Sequence, residues 1–136
     1  MIRPINRDPL FLAQKSAPAT PEDAPIARDL LETLTAHADR CVGMAANMIG
    51  EAKCIIAVES EDGYLVLFNP VILKRSGPYE AEEGCLSLSG ERKTTRYEEI
   101  EIKYLDQLFR MKKKRFKGFV AEVIQHEMDH LEGKLI

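Results

Sequence analysis

Long apolar runs are absent from this chain of 136 residues. No stretch approaches the roughly 20 apolar residues that a membrane-spanning helix needs, so we expect no contact with a membrane. The N-terminus carries Arg3, Arg7 and Asp8 without a continuous apolar segment, which predicts that there is no signal peptide. These absences favour a cytoplasmic protein.

Cysteine is scarce, and its three copies (Cys41, Cys54 and Cys85) form no paired framework. An odd count fits a reducing compartment, where a cysteine is a metal ligand or a small buried apolar residue rather than half of a disulfide. Positive charge is not in excess either, because the formal net charge is −3. That balance argues against a nucleic-acid-binding protein, including a sequence-specific one.

The composition is that of a globular protein, with 45% hydrophobic and 30% charged residues. A chain of this length predicts one domain over residues 1–136. Residues 1–25 contain five of the seven prolines and are expected to form an N-terminal arm packed on the domain. We find no internal repeat.

One helix is predicted near the N-terminus, from Pro21 to about Asp39, because Thr20 can cap it and acids fill its first turn. His37 falls in its last turn, where interaction with the helix C-terminus is favoured over metal binding. The apolar stripe of this helix comprises Ile26, Leu30, Leu31, Leu34 and Ala38.

Several antiparallel strands are predicted to follow. Residues 54–58 read as a buried strand, and a turn at 60–63 returns the chain into a second strand ending at Asn69-Pro70. A new strand begins at residue 71, a turn falls at 76–78, and residues 94–104 alternate as a strand. The resulting class is α+β, with antiparallel sheets packed around a C-terminal helix and one further helix near the N-terminus.

The C-terminal helix carries the strongest functional signal, since residues 125–130 read Gln-His-Glu-Met-Asp-His. On a helix, His126 and His130 lie one turn apart on one face, so both imidazoles can bind one metal ion. Glu127 is placed to handle a proton on a water bound to that metal. The helix is bounded by Gly118 and Gly133, and its apolar positions are Phe119, Val120, Val123, Ile124 and Leu131.

Two histidines leave a catalytic metal one protein ligand short, and the candidates are the cysteines. Cys54 lies within an apolar strand and reads as core. Cys41 adjoins a stretch of small residues at 41–50, while Cys85 lies in a polar, partly irregular region. The residues alone leave Cys41 and Cys85 open. Taken alone, the small-residue stretch reads as a tight connection under the sheet.

Two motifs together resemble the peptide deformylase family: Glu-Gly-Cys-Leu-Ser at 83–87 and the histidine motif at 125–130. A third family motif, GxGxAAxQ, corresponds to residues 41–48. The resemblance implies an enzyme that removes the formyl group from the N-terminal methionine of new polypeptides. It implies that Cys85, His126 and His130 bind one divalent metal, commonly Fe²⁺ in this family, with Zn²⁺ or Ni²⁺ as replacements.

The same resemblance assigns roles around the metal. Glu127 would be the general acid–base group, and the backbone N–H of Leu86 would help to hold the oxyanion. Residues 42–44 (Val42, Gly43 and Met44) would shape the pocket for the substrate methionine, and Arg92 would contact the peptide backbone.

This chain departs from the family at the first motif. Met48 stands where the family has a glutamine that donates to the oxyanion, and a thioether cannot donate a hydrogen bond. Loss of one such donor typically costs about 10²–10³ in turnover. Cys41 replaces the first motif glycine. Two readings follow: a deformylase of reduced activity, which the intact Glu127 favours, or an inactive relative that binds a metal and a peptide or partner.

The basic residues at 110–117 admit two interpretations. A solvated hairpin is favoured, and a patch for RNA or an acidic partner is the alternative. The expected partners are the N-formylated peptide substrate and, transiently, the ribosome.

Overall fold

The computed structural model describes residues 1–85 and 87–135. The α-helices are α1 Pro9–Leu12, α2 Ala24–Ala36 and α3 Gly118–Leu131. The strands are β1 Gly43–Ala45, β2 Ile55–Ser60, β3 Gly63–Cys85, β4 Leu88–Leu105 and β5 Met111–Lys117. Short 3₁₀ turns at Pro21–Asp23 and Ala46–Ile49 complete the order. The predicted α+β class is confirmed. No helix within the described ranges is long and apolar enough to cross a membrane.

The first long helix begins where the sequence predicts it. The backbone N–H of Thr20 donates to the Asp23 carboxylate at 2.8 Å, and Pro21 opens the 3₁₀ turn that leads into α2. The helix ends at Ala36, so the predicted end near residue 39 is wrong, and Ala38 is exposed rather than part of the stripe. His37 follows the last helical residue and its Nδ1 lies 2.8 Å from the Thr33 carbonyl, as its predicted role at the helix end requires.

The five strands form one antiparallel sheet in the order β1-β2-β3-β4-β5. The predicted hairpin between β2 and β3 is confirmed, with Ser60 paired to Gly63 across its turn. A later hairpin joins β4 to β5, so the basic segment forms a hairpin as the favoured interpretation predicts, and residues 111–115 are exposed.

Strand β3 is longer than the sequence predicts, and two predicted interruptions are wrong. Strand β3 does not end at Asn69-Pro70 but continues through them with a shift in register. Residues 76–78 form no turn, because they stay paired with β4, and Pro78 lies opposite Tyr97. Beyond Phe68, β3 has a hydrogen-bonded partner on one side only, because β2 is paired to it at residues 63–68. Proline is tolerated on such an edge, where its missing N–H leaves no gap in a ladder.

Helix α3 packs against the sheet and buries most of the face predicted for it. Ile124, Val123 and Leu131 are buried in the core, but Phe119 is 63% exposed and the prediction that it packs there is wrong. Its exposure has a structural reason, since Phe119 lies in the first turn of α3 at the rim of a cavity.

The N-terminal arm contains the one-turn helix α1 and contacts the rest of the chain through backbone hydrogen bonds. Its backbone bonds to the 3₁₀ turn, to the end of α3 and to the start of β2: Asn6 N donates to Met48 O, Ser16 N to Leu131 O, and Cys54 N to Ala17 O. These bonds enclose the end of the helix that carries the two histidines.

Candidate metal centre

Three side chains converge where the end of β3 meets the face of α3. Their donor atoms, the Sγ of Cys85 and the ring nitrogens of His126 and His130, all lie within 4.8 Å of one another. The two Nε2 atoms are 3.1 Å apart, and Sγ is 3.4 Å from the Nε2 of His130. This is the one such group of three among the residues that the structure describes.

The donor set fits a mononuclear metal site. Donors of a tetrahedral centre with one thiolate and two imidazoles are separated by about 3.3–3.6 Å, close to the spacing found here. A thiolate with imidazoles suits Zn²⁺ and Fe²⁺ and does not suit Mg²⁺ or Ca²⁺. Cys85 is half-buried and the histidines are buried, so a bound ion would face a cavity on one side only.

The pKa values of the two histidines are shifted in opposite directions because their surroundings differ. The pKa of His130 is lowered to about 3, first by burial and then by the neighbouring His126. Burial also acts to lower the pKa of His126, but hydrogen bonding with Cys85 and Glu83 outweighs it and raises the pKa to about 10. Metal binding to either ring requires its neutral form, so it is linked to loss of a proton wherever the ring is protonated.

Glu83 orients the first histidine. Its Oε1 lies 2.8 Å from the Nδ1 of His126, which leaves Nε2 directed at the centre. Arg96 donates to the same carboxylate at 2.7 and 2.9 Å and to Asp129 at 2.6 Å. The pKa of Glu83 is lowered to about 2: burial opposes ionisation, and the hydrogen bonds from His126 and Arg96 overcome it. The ionised Glu83 carboxylate is thus held against the Nδ1 side of the His126 ring.

Sequence reasoning assigned no role to Glu83, Arg96 or Asp129. For Arg96 the signal was its position in the strand, an even number of residues from Ile100, Ile102 and Tyr104. Side chains at that spacing lie on the same face of β4, and all four are buried. For the two carboxylates the signal was their place inside the motifs beside Cys85 and His130.

Glu127 is buried beside this group. Burial raises its pKa to about 7; the nearby His126 lowers the pKa, and Glu83 raises it. None of the described residues hydrogen-bonds its Oε1. A buried carboxyl that titrates near neutrality and has an unused oxygen can accept and release a proton.

Gly43 on β1 allows this carboxyl its position. A methyl group added at Gly43 would lie 2.5 Å from Val123 Cγ1 and 3.0 Å from Glu127 Oε2. The edge strand therefore approaches α3 more closely than any side chain would permit, and a glycine is required there for a steric reason.

A cavity of about 500 Å³ opens in front of these groups. Val42, Gly43 and Met48 line it together with Cys85, His126 and Glu127. Met44 is fully buried and is not among the lining residues, and neither is Arg92, which lies opposite Glu83 on β4. Leu86 lies outside the described residues.

Met48 and Cys41, the two departures from the family motif, both face this cavity. The Met48 sulfur accepts a hydrogen bond from the backbone N–H of Ala45 at 3.4 Å, and the side chain is 1% exposed. The Cys41 thiol donates to the Gly43 carbonyl at 2.8 Å. Burial, followed by the charge of Glu127, raises its pKa to about 12, so it stays protonated. Cys41 is outside the group of three that Cys85 joins.

An open Cys-His-His centre with a buried glutamate beside it defines a mononuclear metallohydrolase. The chain belongs to the polypeptide deformylase family, whose sequence model matches residues 2–136. The resemblance drawn from the motifs is confirmed.

Curated relatives match over the whole chain. The peptide deformylase of Clostridium beijerinckii is 54% identical over 136 residues, which is 100% of both chains. That of Dictyoglomus thermophilum is 43% identical over 141 residues, covering 100% of this chain and 91% of the relative.

Solved structures agree. A class I type b peptide deformylase from Acinetobacter baumannii with Met-Ala-Ser bound has a TM-score of 0.87 and 29% identity, covering 99% of this chain and 97% of the other. The peptide deformylase of Thermus thermophilus gives 0.87 and 35%, covering 99% and 84%.

Proposed function

We propose that this chain deformylates the N-terminal formylmethionine of new polypeptides, with Glu127 as its general acid–base group. The observation that carries this proposal is the unpartnered Oε1 of a buried Glu127 beside Cys85, His126 and His130. A metal held only for stability would need no such carboxyl.

The chain's own residues divide the work. Cys85, His126 and His130 would hold the metal, which when bound supplies the Lewis acidity that lowers the pKa of water and polarises the formyl carbonyl. Glu127 takes the proton of the attacking water at its carboxylate and delivers it to the departing amine. Glu83 keeps the His126 ring in the orientation that binding needs.

Substrate would enter through the cavity. Val42 and Gly43 line it and would border the methionine. Met44 would act on the pocket's shape from the core behind it, and Arg92 would contact the peptide further along β4. The backbone N–H of Leu86 is proposed as the remaining oxyanion donor, because Met48 cannot donate.

Reduced turnover follows from Met48. Met48 lines the cavity, but its thioether has no hydrogen to offer a developing oxyanion, and a preorganised donor of this kind is worth about 10²–10³ in turnover. The same observation favours the second candidate function, an inactive relative that binds a peptide.

Turnover of a formyl-methionyl tripeptide separates these functions. Protein purified anaerobically and loaded with Fe²⁺ or Ni²⁺ is compared with Met48→Gln, and Met111→Gln, at a methionine that is 65% exposed, is the matched control. We expect slow turnover that rises about 10²-fold in Met48→Gln and stays unchanged in the control. Metal-loaded proteins without turnover would favour the peptide-binding function.

We also propose Fe²⁺ as the native metal, the cytoplasm as the location, and a transient ribosome contact through the exposed cations of β5. Thiolate and imidazole donors suit both Fe²⁺ and Zn²⁺, and because a site of this kind binds Fe²⁺ more weakly, the metal available in the cell decides which ion is bound. Metal analysis of protein isolated anaerobically from its own cells tests the first, and co-sedimentation with ribosomes at low and high salt tests the last.

A further inference from the structure

The cavity extends from the metal centre along α3 towards the start of that helix. Glu122 precedes His126 by four residues, so it lies on the same face about 6 Å further along the axis. The cavity lining combines apolar side chains with the charged Arg40, Glu82 and Glu83. Its apolar side chains are Val42, Met48, Leu88, Phe119 and Val123. Glu122 adds a carboxyl group to this lining.

That carboxyl is held in place from the sheet. The Tyr79 hydroxyl donates to Glu122 Oε1 at 3.0 Å. Tyr79 and Glu83 are four residues apart in a stretch of β3 with unbroken register, so both point from one face of the strand towards α3. Glu122 and His126 have the same spacing on the helix. Tyr79 contacts Glu122, and Glu83 contacts His126. The Glu122 carboxyl interacts with both Tyr79 and Glu83.

The surroundings make Glu122 a polar group that is partly withdrawn from water. Its pKa is raised, chiefly by burial and then by the hydrogen bond and charge of Glu83. Desolvated polar groups favour ligands that can hydrogen-bond to them and penalise ligands that cannot.

We propose that Glu122, positioned by Tyr79, is a specificity-determining residue that lets the cavity accept, beside methionine, a formylated residue whose side chain ends in a hydrogen-bonding group. This inference rests on the proposed function, because the substrate's formyl group must sit at the metal. The side chain of the formylated residue is then the first part of the substrate to reach the cavity one helical turn away.

Three side chains of similar length distinguish the effect. Norleucine ends in hydrocarbon, methionine carries a thioether that accepts hydrogen bonds weakly, and glutamine both donates and accepts. An apolar pocket would rank glutamine far below norleucine. A pocket that contains the Glu122 carboxyl narrows this gap, because the amide replaces bonds to water with bonds to protein.

The test measures kcat/KM for formyl-glutaminyl-, formyl-methionyl- and formyl-norleucyl-alanyl-serine with metal-loaded protein. We expect Glu122→Leu to lower the glutamine-to-norleucine ratio about tenfold, the usual effect of one hydrogen bond. Glu122→Gln retains a hydrogen-bonding group and should retain most of the ratio. Tyr79→Phe keeps the Glu122 carboxyl but removes the hydrogen bond that positions it. This variant should therefore lower the ratio less than Glu122→Leu does.

Glu80→Leu is the matched control, since Glu80 is exposed and neighbours Tyr79 on the opposite face of β3. An unchanged ratio in both Glu122→Leu and Tyr79→Phe would overturn the inference. Should no formyl peptide be hydrolysed, the proposed function fails, and the inference is then decided by equilibrium binding. The Kd values of glutaminyl- and norleucyl-alanyl-serine must change their ratio in Glu122→Leu, and equal ratios would refute it.

Discussion

Gln125 and Tyr97 are joined by two hydrogen bonds between a side-chain amide and a backbone. The Tyr97 N–H donates to Gln125 Oε1 at 2.9 Å, and Gln125 Nε2 donates to the Tyr97 carbonyl at 2.9 Å. The side-chain amide of Gln125 therefore bonds to β4 as the backbone of a neighbouring strand would. Gln125 directly precedes His126, the first of the two histidines of the candidate metal centre, so this pair of hydrogen bonds fixes the helix that carries the site to the sheet.

Replacing Gln125 with leucine should destabilise the fold. Two backbone groups of Tyr97 would lose their partners beside a buried side chain, and we expect the free energy of unfolding to fall by about 2–4 kcal/mol. Urea denaturation measures it. Gln107→Leu, at an exposed position in the β4–β5 turn, should change stability by less than about 0.5 kcal/mol. Equal stability of the two variants would show that the two hydrogen bonds between Gln125 and Tyr97 contribute nothing to stability.

Glu127→Gln should keep the metal and lose the activity. The three metal-binding side chains are untouched, whereas the amide cannot accept and release a proton, so kcat should fall by about 10²–10⁴. Metal content and turnover are measured on the same preparation. Glu132→Gln, at an exposed glutamate just after α3, serves as the control. Wild-type turnover in Glu127→Gln would remove the proposed role.

Cys85→Ser should lower the metal stoichiometry, because a serine hydroxyl is a much poorer ligand than a thiolate. Cys41→Ser and Cys54→Ser are the matched variants. Cys41 bonds instead to the Gly43 carbonyl, and the Cys54 sulfur lies 3.5 Å from the Ser16 carbonyl. Metal analysis after dialysis should therefore find the ion in both. Full stoichiometry in Cys85→Ser would identify a different thiol as the ligand.

Gly43→Ala should lower both stability and turnover. The added methyl would overlap Val123 Cγ1 and crowd Glu127 Oε2, and overpacking of this kind costs about 1–3 kcal/mol. Thermal unfolding and kcat/KM measure the two effects. Gly84→Ala is the steric control, since its methyl would meet other atoms at 3.6 Å or more.

A second change isolates the cause of the Gly43 effect. Val123→Ala removes the Cγ1 atom that the new methyl would meet, so the double variant should be more stable than the sum of the single effects predicts. Strict additivity would mean that the loss arises elsewhere.

The sequence predicts best the elements whose signals are local. Helix α3 has its period, its bounding glycines and its histidine spacing within residues 118–133, and the hairpin at 60–63 has its turn residues between two apolar runs. The metal-binding group was predicted from the motif resemblance, since nothing local in the residues chooses between Cys41 and Cys85.

What could not be predicted depends on tertiary contacts. Pro70 and Pro78 break a strand by every local rule, yet both lie where β3 has one free edge. The partners of Arg96 could not be predicted, because Glu83 and Asp129 come to it from two other elements. Glu122 lies among helical residues in sequence, and only the cavity reveals what its carboxyl faces.

A metal bound at the proposed centre would also cross-link two distant parts of the chain. Cys85 ends a strand and His130 lies near the end of a helix, and they are 45 positions apart in the chain. A metal bound by both would stabilise the folded chain through its binding free energy, because the ion would be released on unfolding and, unlike a disulfide, would not restrict the unfolded chain. Because the ion binds the folded chain far better than the unfolded one, the melting temperature becomes a gauge of how much free metal surrounds the protein.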